Sequence, residues 1–454
     1  MNNLCPLDYR YGRDEMKKIW SEENRLQYEM DVEAALAEAH ASLGTITKEN
    51  ANEIRRVANL YVTSIKRIKE IESETRHDVM AMVKAMAEQC NGDAGSFIHY
   101  GSTSNDITDT AMALQIKASI ELIQRDVDSL IITLANLAKK ERDTIAIGRT
   151  HAQFAIPITF GFKISGYIAE MLRHRERLEQ AKSRAIAGKM AGAVGTGAAF
   201  GENFPTIQEK VMLILGLTYE PVATQIVGRD RYTEIICIAA NIATSLERYS
   251  TEIRNLQRPE IAEVAEPFDK KKQIGSSTMA HKHNPMLSEN VCGLARIVRS
   301  MMTPMYESQV LWHERDISNS SAERFIFPHT FTLLDDMLKK TEAIFRKLKG
   351  NRDKMIKNIE LSKGLIMAES LMMKMAEKGI GRQCAYEIAR SISMTAESEG
   401  RQLKAVALER NDIKNFMTED EIITAVEPSN YTGSSREIVN KTLAMVEKAL
   451  GVKV

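Results

Sequence analysis

The sequence predicts an all-α protein, and three observations lead to that prediction. Proline is scarce, with 10 in 454 residues, and none lies between Pro6 and Pro157. Because proline breaks helix interiors, its absence over this range favours helices. Methionine is frequent, with 24 residues, which suits adaptable packing. Finally, the stretches 107–147 and 229–258 contain neither glycine nor proline.

The length of the chain predicts more than one domain. A chain of 454 residues can bury a large core and is long enough for two or three domains. We predict an N-terminal helical domain over 1–106, a long helix-bundle domain over 107–350 and a C-terminal helical domain over 351–454.

Apolar side chains in both breaker-free stretches recur alternately three and four residues apart. This spacing is typical of helices that pack side by side at shallow angles. The first stretch would be roughly 60 Å long if wholly helical, so we predict a bundle shared between subunits. The apolar seams consist of Ala113, Ile116, Ile120, Ile123, Val127, Leu130, Leu134 and Leu137, and of Ile235, Ala239, Ile242, Leu246, Tyr249, Ile253 and Leu256.

Glycine and proline interrupt the helical pattern at 188–205 and at 258–277. We interpret both segments as loops at the ends of the bundle. Loops of this kind carry functional residues more often than the elements they connect.

Composition excludes several classes of function. The chain has 61 basic and 61 acidic residues, so no net charge attracts nucleic acid or a membrane surface. Its five cysteines are widely separated, which indicates a reducing compartment rather than a disulfide framework. The sequence shows no apolar signal core and no run of about 18 apolar residues. We therefore expect a cytoplasmic protein with neither a membrane nor a nucleic-acid partner.

The segment 273–285, QIGSSTMAHKHNP, concentrates polar side chains. A glycine followed by hydroxyls and the cation Lys282 can present backbone N–H groups and an ammonium to a carboxylate or oxyanion. A solvated loop without function is the alternative, and for an arbitrary polar loop it is the more frequent outcome.

Three other polar segments contain a histidine. They are ETRHDVMA with His77, HYGSTSNDITDTA with His99, and GRTHAQ with His151. The second segment also places hydroxyls and free N–H groups at a helix start. A single histidine is more often structural than catalytic. Three of the nine histidines in such segments are less easily explained as structural, although their spacing alone does not bring them together.

Two other segments could suggest a zinc site or a phosphate-binding loop, but the sequence supports neither well. His281, His283 and His313 could be proposed as zinc ligands, but no cysteine pair lies near them in the sequence. The run GAVGTG at 192–197 lacks the GxGxxG order and a preceding strand. We predict neither a metal nor a cofactor.

The pattern Gly275-Ser276-x-x-Met279-x-x-Lys282-x-Asn284 resembles the signature loop of the fumarase/aspartase superfamily. TSND, GRTHAQ and GAVGT are similar to further shared blocks of that superfamily, in the expected order. Within it the chain is most similar to the adenylosuccinate lyase family, through RY at 10–11, RHD at 76–78, TQIVGRDR and HERDISNSSAER. Ala280 departs from the proline that relatives usually have.

The resemblance implies a β-elimination in which a C–N bond of a succinyl group breaks and fumarate leaves. A base takes a proton next to a carboxylate, cations and N–H groups stabilise the dianionic intermediate, and an acid protonates the departing nitrogen. By resemblance Ser276 is the base, His151 the acid, Lys282 the stabilising cation and Glu289 the carboxylate that orients the acid. His77 completes the implied catalytic set.

The resemblance also implies a set of substrate-binding residues, which would hold the substrate carboxylates, phosphate and leaving group. They are Arg10, Tyr11, Arg76, Asp78, His99, Thr103, Ser104, Thr150, Gln225, Ser277, Met279, Asn284, Arg315, Ser320 and Arg324.

The implied fold has three helical domains and forms a homotetramer with shared active sites. The implied substrates are adenylosuccinate, which gives AMP, and succinyl-aminoimidazole-carboxamide ribotide, which gives AICAR. Two alternatives stay open. A superfamily lyase for argininosuccinate, fumarate or aspartate would not need Arg10, Arg315 and Arg324 for a phosphate. A non-catalytic helical scaffold would be expected to lack the acid or the base.

Overall fold

The protein is mainly helical in the part of the chain that the structure describes, residues 4–269 and 273–454 of a computed structural model. The α-helices are α1 (Pro6–Tyr9), α2 (Asp14–Ile19), α3 (Glu22–Ser42), α4 (Lys48–Val57), α5 (Ile65–Thr75), α6 (Asp78–Glu88), α7 (Ser104–Lys140), α8 (Phe160–Ala185), α9 (Phe204–Leu215), α10 (Asp230–Leu256), α11 (Met286–Ser300), α12 (Met302–Glu307), α13 (Ser318–Arg346), α14 (Arg352–Glu360), α15 (Ala368–Glu377), α16 (Arg382–Glu399), α17 (Leu403–Glu409), α18 (Asn411–Lys414), α19 (Glu419–Ala425) and α20 (Ser435–Leu450).

The strands are short and form separate two-stranded ladders. They are β1 (Ile145–Thr150), β2 (Gln153–Thr159), β3 (Ala187–Gly188), β4 (Thr218–Tyr219), β5 (Val264–Ala265) and β6 (Lys349–Gly350). β1 and β2 form an antiparallel hairpin, β3 and β4 pair in parallel, and β5 and β6 pair antiparallel. The all-α prediction is therefore confirmed, with small strands added at the ends of helices.

Both predicted apolar seams are confirmed, because every residue of each seam is buried. The second stretch forms α10 almost in full. The first stretch is helical only as far as Lys140, where α7 ends after 37 residues. Ile145 and Ile147 then pair with Thr159 and Pro157 in the hairpin. β-branched side chains such as isoleucine favour strands. The strand therefore forms here, although neither glycine nor proline interrupts the sequence.

The chain divides into two compact units, and five long helices contribute residues to both. Unit 1 comprises Met1–Val127, His174–Ser245 and Gly293–Lys339, and unit 2 comprises Asp128–Arg173, Leu246–Cys292 and Lys340–Val454. The three-domain division remains a prediction.

Each unit has its own apolar core. In unit 1 the Trp20 ring stacks between Phe327 at 5.9 Å and Phe331 at 5.6 Å, measured between ring centroids. In unit 2 Ile147 of the hairpin belongs to a buried cluster with Met367 of the C-terminal region. The base of the hairpin is thereby fixed in a core while its tip extends away from it.

No helix of the described residues is both long enough and apolar enough to span a bilayer.

Candidate active site

One cavity of unit 1 gathers many of the predicted site residues. Its volume is about 280 Å³, at the lower end of the range for ligand pockets. The predicted residues in its wall are Arg76, His77, Asp78, Ser104, Arg315, Ser320 and Arg324. They come from the start of α6, the start of α7 and the region around the start of α13, so residues far apart in sequence share one cavity.

His77 caps the N-terminus of α6. Its Nδ1 accepts a hydrogen bond from the backbone N–H of Met80 at 3.3 Å. An accepting Nδ1 carries no proton, so the neutral ring bears its proton on Nε2. His77 can therefore donate a hydrogen bond from Nε2 to a ligand.

Asp78 orients Arg324 in the same wall. Its Oδ2 accepts from Arg324 Nη2 at 3.2 Å, and its Oδ1 accepts from the Val79 N–H at 2.9 Å. Burial acts to raise the pKa of Asp78, but the Val79 N–H, Arg25 and Arg324 outweigh burial and lower that pKa below its ordinary value. Asp78 is therefore an ionised carboxylate at neutral pH.

Arg315 has hydrogen-bonding capacity that the protein leaves unused. Its Nη1 donates to Gln225 Oε1 at 3.1 Å, while its Nε is buried and has no acceptor among the described residues. Buried polar groups normally have partners. An anionic ligand in the cavity would provide the missing acceptor.

A buried ion network in the cavity wall was not identified from the sequence. Arg229 Nη1 and Nη2 donate to Asp109 at 2.7 and 2.9 Å, and Arg229 Nε and Nη2 donate to Glu323 at 2.9 and 3.2 Å. All three side chains are less than a tenth exposed. Burial acts to raise the pKa of Asp109, but Arg229 lowers it overall. The network joins α7, the start of α10 and α13 within unit 1.

A second ion pair, between the partly exposed Arg25 and the buried Glu29 of α3, also lines this cavity. Arg25 Nη1 donates to Glu29 Oε1 at 2.6 Å. Burial raises the pKa of Glu29 to about 7, and the nearby Asp78 adds to the rise, although Arg25 opposes both. Glu29 is thus a carboxyl group that titrates near neutral pH.

Thr103 and Ser104 lie at the start of α7, where Asp106 connects two loops. Asp106 accepts hydrogen bonds from the Thr103 N–H at 2.8 Å and from the Lys189 ammonium at 2.5 Å. It also accepts from the N–H groups of the loop at 191–192, at 2.8 and 3.0 Å. The buried carboxylate of Asp106 therefore holds both the hydroxyl-rich turn before α7 and the glycine-rich loop. The second of these segments was predicted to be a loop.

His99 lies in the same turn but does not line the cavity. Its ring is largely buried against Glu33, whose Oε1 lies 2.6 Å from Nδ1. Burial acts to lower the pKa of His99, but the hydrogen bond and charge of Glu33, with the charge of Asp106, raise it above its ordinary value.

Arg10 and Tyr11 also lie outside the cavity wall. They end α1, and the backbone N–H groups of both donate to the Pro6 carbonyl. Gly12 follows with a φ of 86°, and a Cβ there would lie 2.2 Å from Thr332 Cγ2. Only glycine fits this close approach, so the path of the N-terminal segment is fixed just after Arg10 and Tyr11.

The predicted acid, His151, lies at the exposed tip of the β1–β2 hairpin. Thr150 pairs with Gln153, which leaves His151 and Ala152 as a two-residue turn. Both turn residues have positive φ, at 52° and 61°, as a type I′ turn requires. Such turns usually contain glycine or asparagine, so the backbone of His151 is held in a strained conformation.

The predicted base, Ser276, is half-buried in the signature loop. Its Oγ accepts hydrogen bonds from the backbone N–H groups of Thr278 at 3.3 Å and Met279 at 3.0 Å. Two N–H donors directed at one hydroxyl oxygen stabilise negative charge on that oxygen.

The signature loop closes on itself through Gly275. A Cβ at Gly275 would lie 1.9 Å from the Lys282 carbonyl oxygen, and Asn284 Nδ2 donates to the Gly275 carbonyl at 3.0 Å. This closure accounts for the glycine of the pattern by its close backbone approach and for the asparagine by its side-chain hydrogen bond. Ser277, Met279 and the Lys282 side chain are exposed, so the loop directs them away from the fold.

Glu289 lies in the first turn of α11, exposed. The carboxylate of Glu266 caps this helix by accepting from the N–H groups of Leu287 at 3.2 Å and Ser288 at 2.7 Å. Within the described residues no hydrogen bond joins Glu289 to His151.

A larger cavity, of about 840 Å³, lies in unit 2 beside the hairpin. Its cations are already neutralised: Arg149 pairs with Glu263 at 2.5 Å, and Arg258 pairs with Glu260 at 3.0 Å. Lys163 and Arg248 likewise bond to Glu252 and Glu170. The smaller cavity of unit 1 is therefore the better anion site, since Arg315 there has an unsatisfied N–H group.

Within each unit the structure brings together part of the predicted set. Unit 1 joins the cavity residues with Gln225, and unit 2 carries Ser276, His151, Lys282 and Glu289 on a hairpin, a loop and a helix start. Over residues 4–269 and 273–454, no three histidine, cysteine, aspartate or glutamate side chains are grouped as metal ligands.

Comparison with known proteins gives consistent matches over the chain. A family model described as lyase matches residues 8–300, and one described as adenylosuccinate lyase C-terminus matches residues 364–442. Adenylosuccinate lyase of Pyrococcus horikoshii is 49% identical, with 98% of each chain covered. That of Methanothermobacter thermautotrophicus is 44% identical, over 98% of this chain and 100% of the relative.

Solved structures give the same fold. A fumarate lyase from Mesorhizobium sp. matches with a TM-score of 0.87 at 29% identity, over 95% of this chain and 98% of the other. A 3-carboxy-cis,cis-muconate lactonizing enzyme from Pseudomonas putida matches with a TM-score of 0.89 at 27% identity, over 98% and 100%.

Proposed function

Because the chain belongs to the adenylosuccinate lyase family and is a carbon–nitrogen lyase, we propose that it releases fumarate from two succinyl nucleotides. Adenylosuccinate would give AMP, and succinyl-aminoimidazole-carboxamide ribotide would give AICAR. The observation that carries this proposal is the cavity of unit 1, whose wall combines Arg76, Arg315 and Arg324 with the hydroxyls of Ser104 and Ser320.

The cavity of unit 1 is suited to the phosphoribosyl end of such a substrate. Phosphate oxygens take hydrogen bonds from guanidinium groups, often in pairs. Arg315 has a buried Nε that finds no acceptor within the described part of the chain, and Asp78 holds Arg324 at the same cavity. We assign the phosphate to these cations, together with Arg10 and Tyr11, and the adjoining hydroxyls and His77 Nε2 to other polar groups of the substrate.

Ser276 is assigned as the base that removes the proton next to the succinyl carboxylate. Serine is a weak base unless its alkoxide is stabilised. The N–H groups of Thr278 and Met279 already donate to Ser276 Oγ, and Lys282 in the same loop would add a positive charge. These donors support the assignment. Ser276 would first give its hydroxyl proton to solvent. Its alkoxide oxygen would then take the proton from carbon, and the electron pair of the broken C–H bond would build negative charge on the carboxylate.

His151 is assigned as the acid that protonates the departing nitrogen. Loss of that nitrogen completes the double bond of fumarate and leaves the amine of the nucleotide product. Glu289 would orient the imidazole, and Thr103, Ser104, Gln225 and Asn284 would hold carboxylates of the succinyl group.

We further propose a homotetramer in which one active site takes residues from several copies. His151 is at an exposed hairpin tip and Lys282 and Glu289 are also exposed within one copy, which is unusual for catalytic groups that need a water-poor site. Coverage by other copies would bury them. A cytoplasmic location is proposed with the cysteine distribution as its support.

The test is an assay of the purified full-length protein with each substrate. The absorbance change of adenylosuccinate and coupled detection of fumarate should both report turnover, and the carboxamide ribotide should also be cleaved. Fumarate release from argininosuccinate or malate alone would favour a different superfamily lyase. No turnover of either succinyl nucleotide by the folded protein would overturn the proposal.

A further inference from the structure

The carboxylate of Glu33 holds His99 by two contacts. Oε2 accepts from the His99 backbone N–H at 3.0 Å, and Oε1 lies 2.6 Å from His99 Nδ1. Glu33 lies in the interior of α3 and its side chain is fully buried, while that of His99 is 14% exposed. One rigid helix residue therefore fixes both the main chain and the ring of His99.

The conformation held in this way is a strained one. His99 has a φ of 65°, in the left-handed region that residues with a Cβ adopt at a cost of about 1 kcal/mol or more. The turn continues through Gly101, where a Cβ would lie 2.7 Å from the Phe200 ring. His40, seven residues after Glu33 on α3, bonds through Nε2 to the Tyr100 carbonyl at 3.0 Å. Two side chains of one helix thus hold the turn.

The tautomer of His99 follows from the same contacts. Nδ1 faces a carboxylate oxygen, so Nδ1 carries a proton. Nε2 has no hydrogen-bond partner among the described residues. The only ring nitrogen available to a ligand is therefore Nε2, at the edge of the turn that leads to Thr103 and Ser104.

We propose that Glu33 is a positioning residue that aims His99 Nε2, as the N–H of an imidazolium, at an anionic oxygen of the substrate. This inference rests on the proposed function, and on the resemblance that placed His99 in the substrate-binding set. Glu33 itself touches no substrate in this proposal and acts through His99. It was not identified from the sequence, because a glutamate in a helix carries no signal of its distant partner.

The charges around the ring agree with this role. Glu33 from α3 and Asp106 from α7 act on His99, and Asp106 is itself paired with Lys189. Although burial opposes them, the two carboxylates raise the pKa of His99. The His99 ring is positively charged at pH values below its raised pKa. As the pH rises through that pKa, the ring loses its charge and its contribution to substrate binding. Removal of the Glu33 charge should move this loss to lower pH.

The test combines Glu33→Gln with a direct titration of His99. With histidine labelled at Cε1 with ¹³C, NMR should show a lower pKa for His99 in Glu33→Gln than in the wild type, with the signal assigned from His99→Asn. The KM for adenylosuccinate should rise about tenfold near neutral pH, the size of one charge-assisted hydrogen bond, with a smaller change in kcat. Glu33→Asp keeps a carboxylate and should recover part of the KM.

Glu38→Gln is the matched control, because Glu38 is on the same helix but pairs with Arg55 at 2.7 Å. It should leave KM and the His99 titration unchanged. In the His99→Asn background Glu33→Gln should change KM by less than about twofold, since coupled residues are not additive.

The proposal is overturned if Glu33→Gln changes thermal stability alone, with the pH profile of KM unmoved. It is also overturned if the effects of Glu33→Gln and His99→Asn add in full. The NMR titration needs no turnover, so it tests the Glu33 contact even if the wild-type protein proves inactive on adenylosuccinate.

Discussion

The cavity of unit 1 and the signature loop of unit 2 are built by different means. Side-chain ion pairs between helices form the cavity wall, and the Arg229 network in it is almost completely buried. The loop is held by backbone geometry, through the closure of Gly275 on Lys282 and the N–H groups at Ser276, with most of its side chains exposed. Changes in the first region should therefore affect stability, and changes in the second should affect turnover.

The largest expected effect is on the stability of the cavity wall. Arg229→Leu leaves Asp109 and Glu323 buried without their cation and should lower the free energy of unfolding by about 3–5 kcal/mol. Chemical denaturation measures this change. Arg258→Leu breaks the exposed pair with Glu260 and should stay within about 0.5 kcal/mol of wild type. Equal losses in the two variants would contradict the contrast between buried and exposed pairs.

The next effect is on turnover without loss of stability. Ser276→Ala, and separately His151→Gln, should lower kcat by at least about 10²-fold, the usual contribution of a general base or acid. The melting temperature should not change, because neither side chain belongs to a core. Thr278→Val and His281→Gln, in the same loop, serve as controls. Near-normal kcat in either Ser276→Ala or His151→Gln, with the fold intact, would refute that residue's assignment.

A smaller effect tests the closure of the loop. Gly275→Ala places a methyl group against the Lys282 carbonyl and should displace the donors around Ser276, with a loss of about tenfold in kcat. Gly293→Ala is the control, because its added methyl meets no atom within 4 Å in α11. It should leave kcat unchanged and raise stability by up to about 1 kcal/mol. A normal kcat in Gly275→Ala would show that the loop tolerates a shifted backbone.

The last effect concerns the pH dependence of unit 1. Burial raises the pKa of Glu29 to about 7, above the unfolded value, so the folded state binds the extra proton between the two values. The contribution of Glu29 to the free energy of unfolding therefore falls as the pH rises toward 7. Relative to wild type, Glu29→Gln should be more stable at pH 8 than at pH 5, by about 2–3 kcal/mol. If the unfolding free energies of Glu29→Gln and wild type differed by the same amount at pH 5 and pH 8, the raised pKa of Glu29 would be contradicted.

The sequence predicted the long helices well, because their seams repeat a local pattern over many turns. It also predicted the signature loop, whose fixed positions are close together. It did not predict the end of α7 at Lys140. The strand that follows α7 pairs Ile145 with Thr159, and this pairing depends on a second strand further along the sequence.

Buried partners were the main omission of the sequence-based site. Arg229 and Glu323 lie inside blocks that carried the resemblance, and Asp109 lies in the polar segment that contains His99, so their positions were a usable signal. Glu33 and Lys189 gave none, because an ion pair between distant elements depends on the fold. Glu29 pairs with Arg25 in its own helix, but the burial that raises its pKa also depends on the fold. The tetramer, the domain boundaries and the roles of individual site residues remain predictions.

The turn of the β1–β2 hairpin limits how this protein can be engineered for heat resistance. Glycine in place of Ala152 would relieve a left-handed backbone that alanine adopts at a cost of about 1 kcal/mol. The same replacement would widen the range of angles open to the adjoining imidazole. A variant made in this way should withstand higher temperatures while holding the His151 side chain, the proposed proton donor, less accurately.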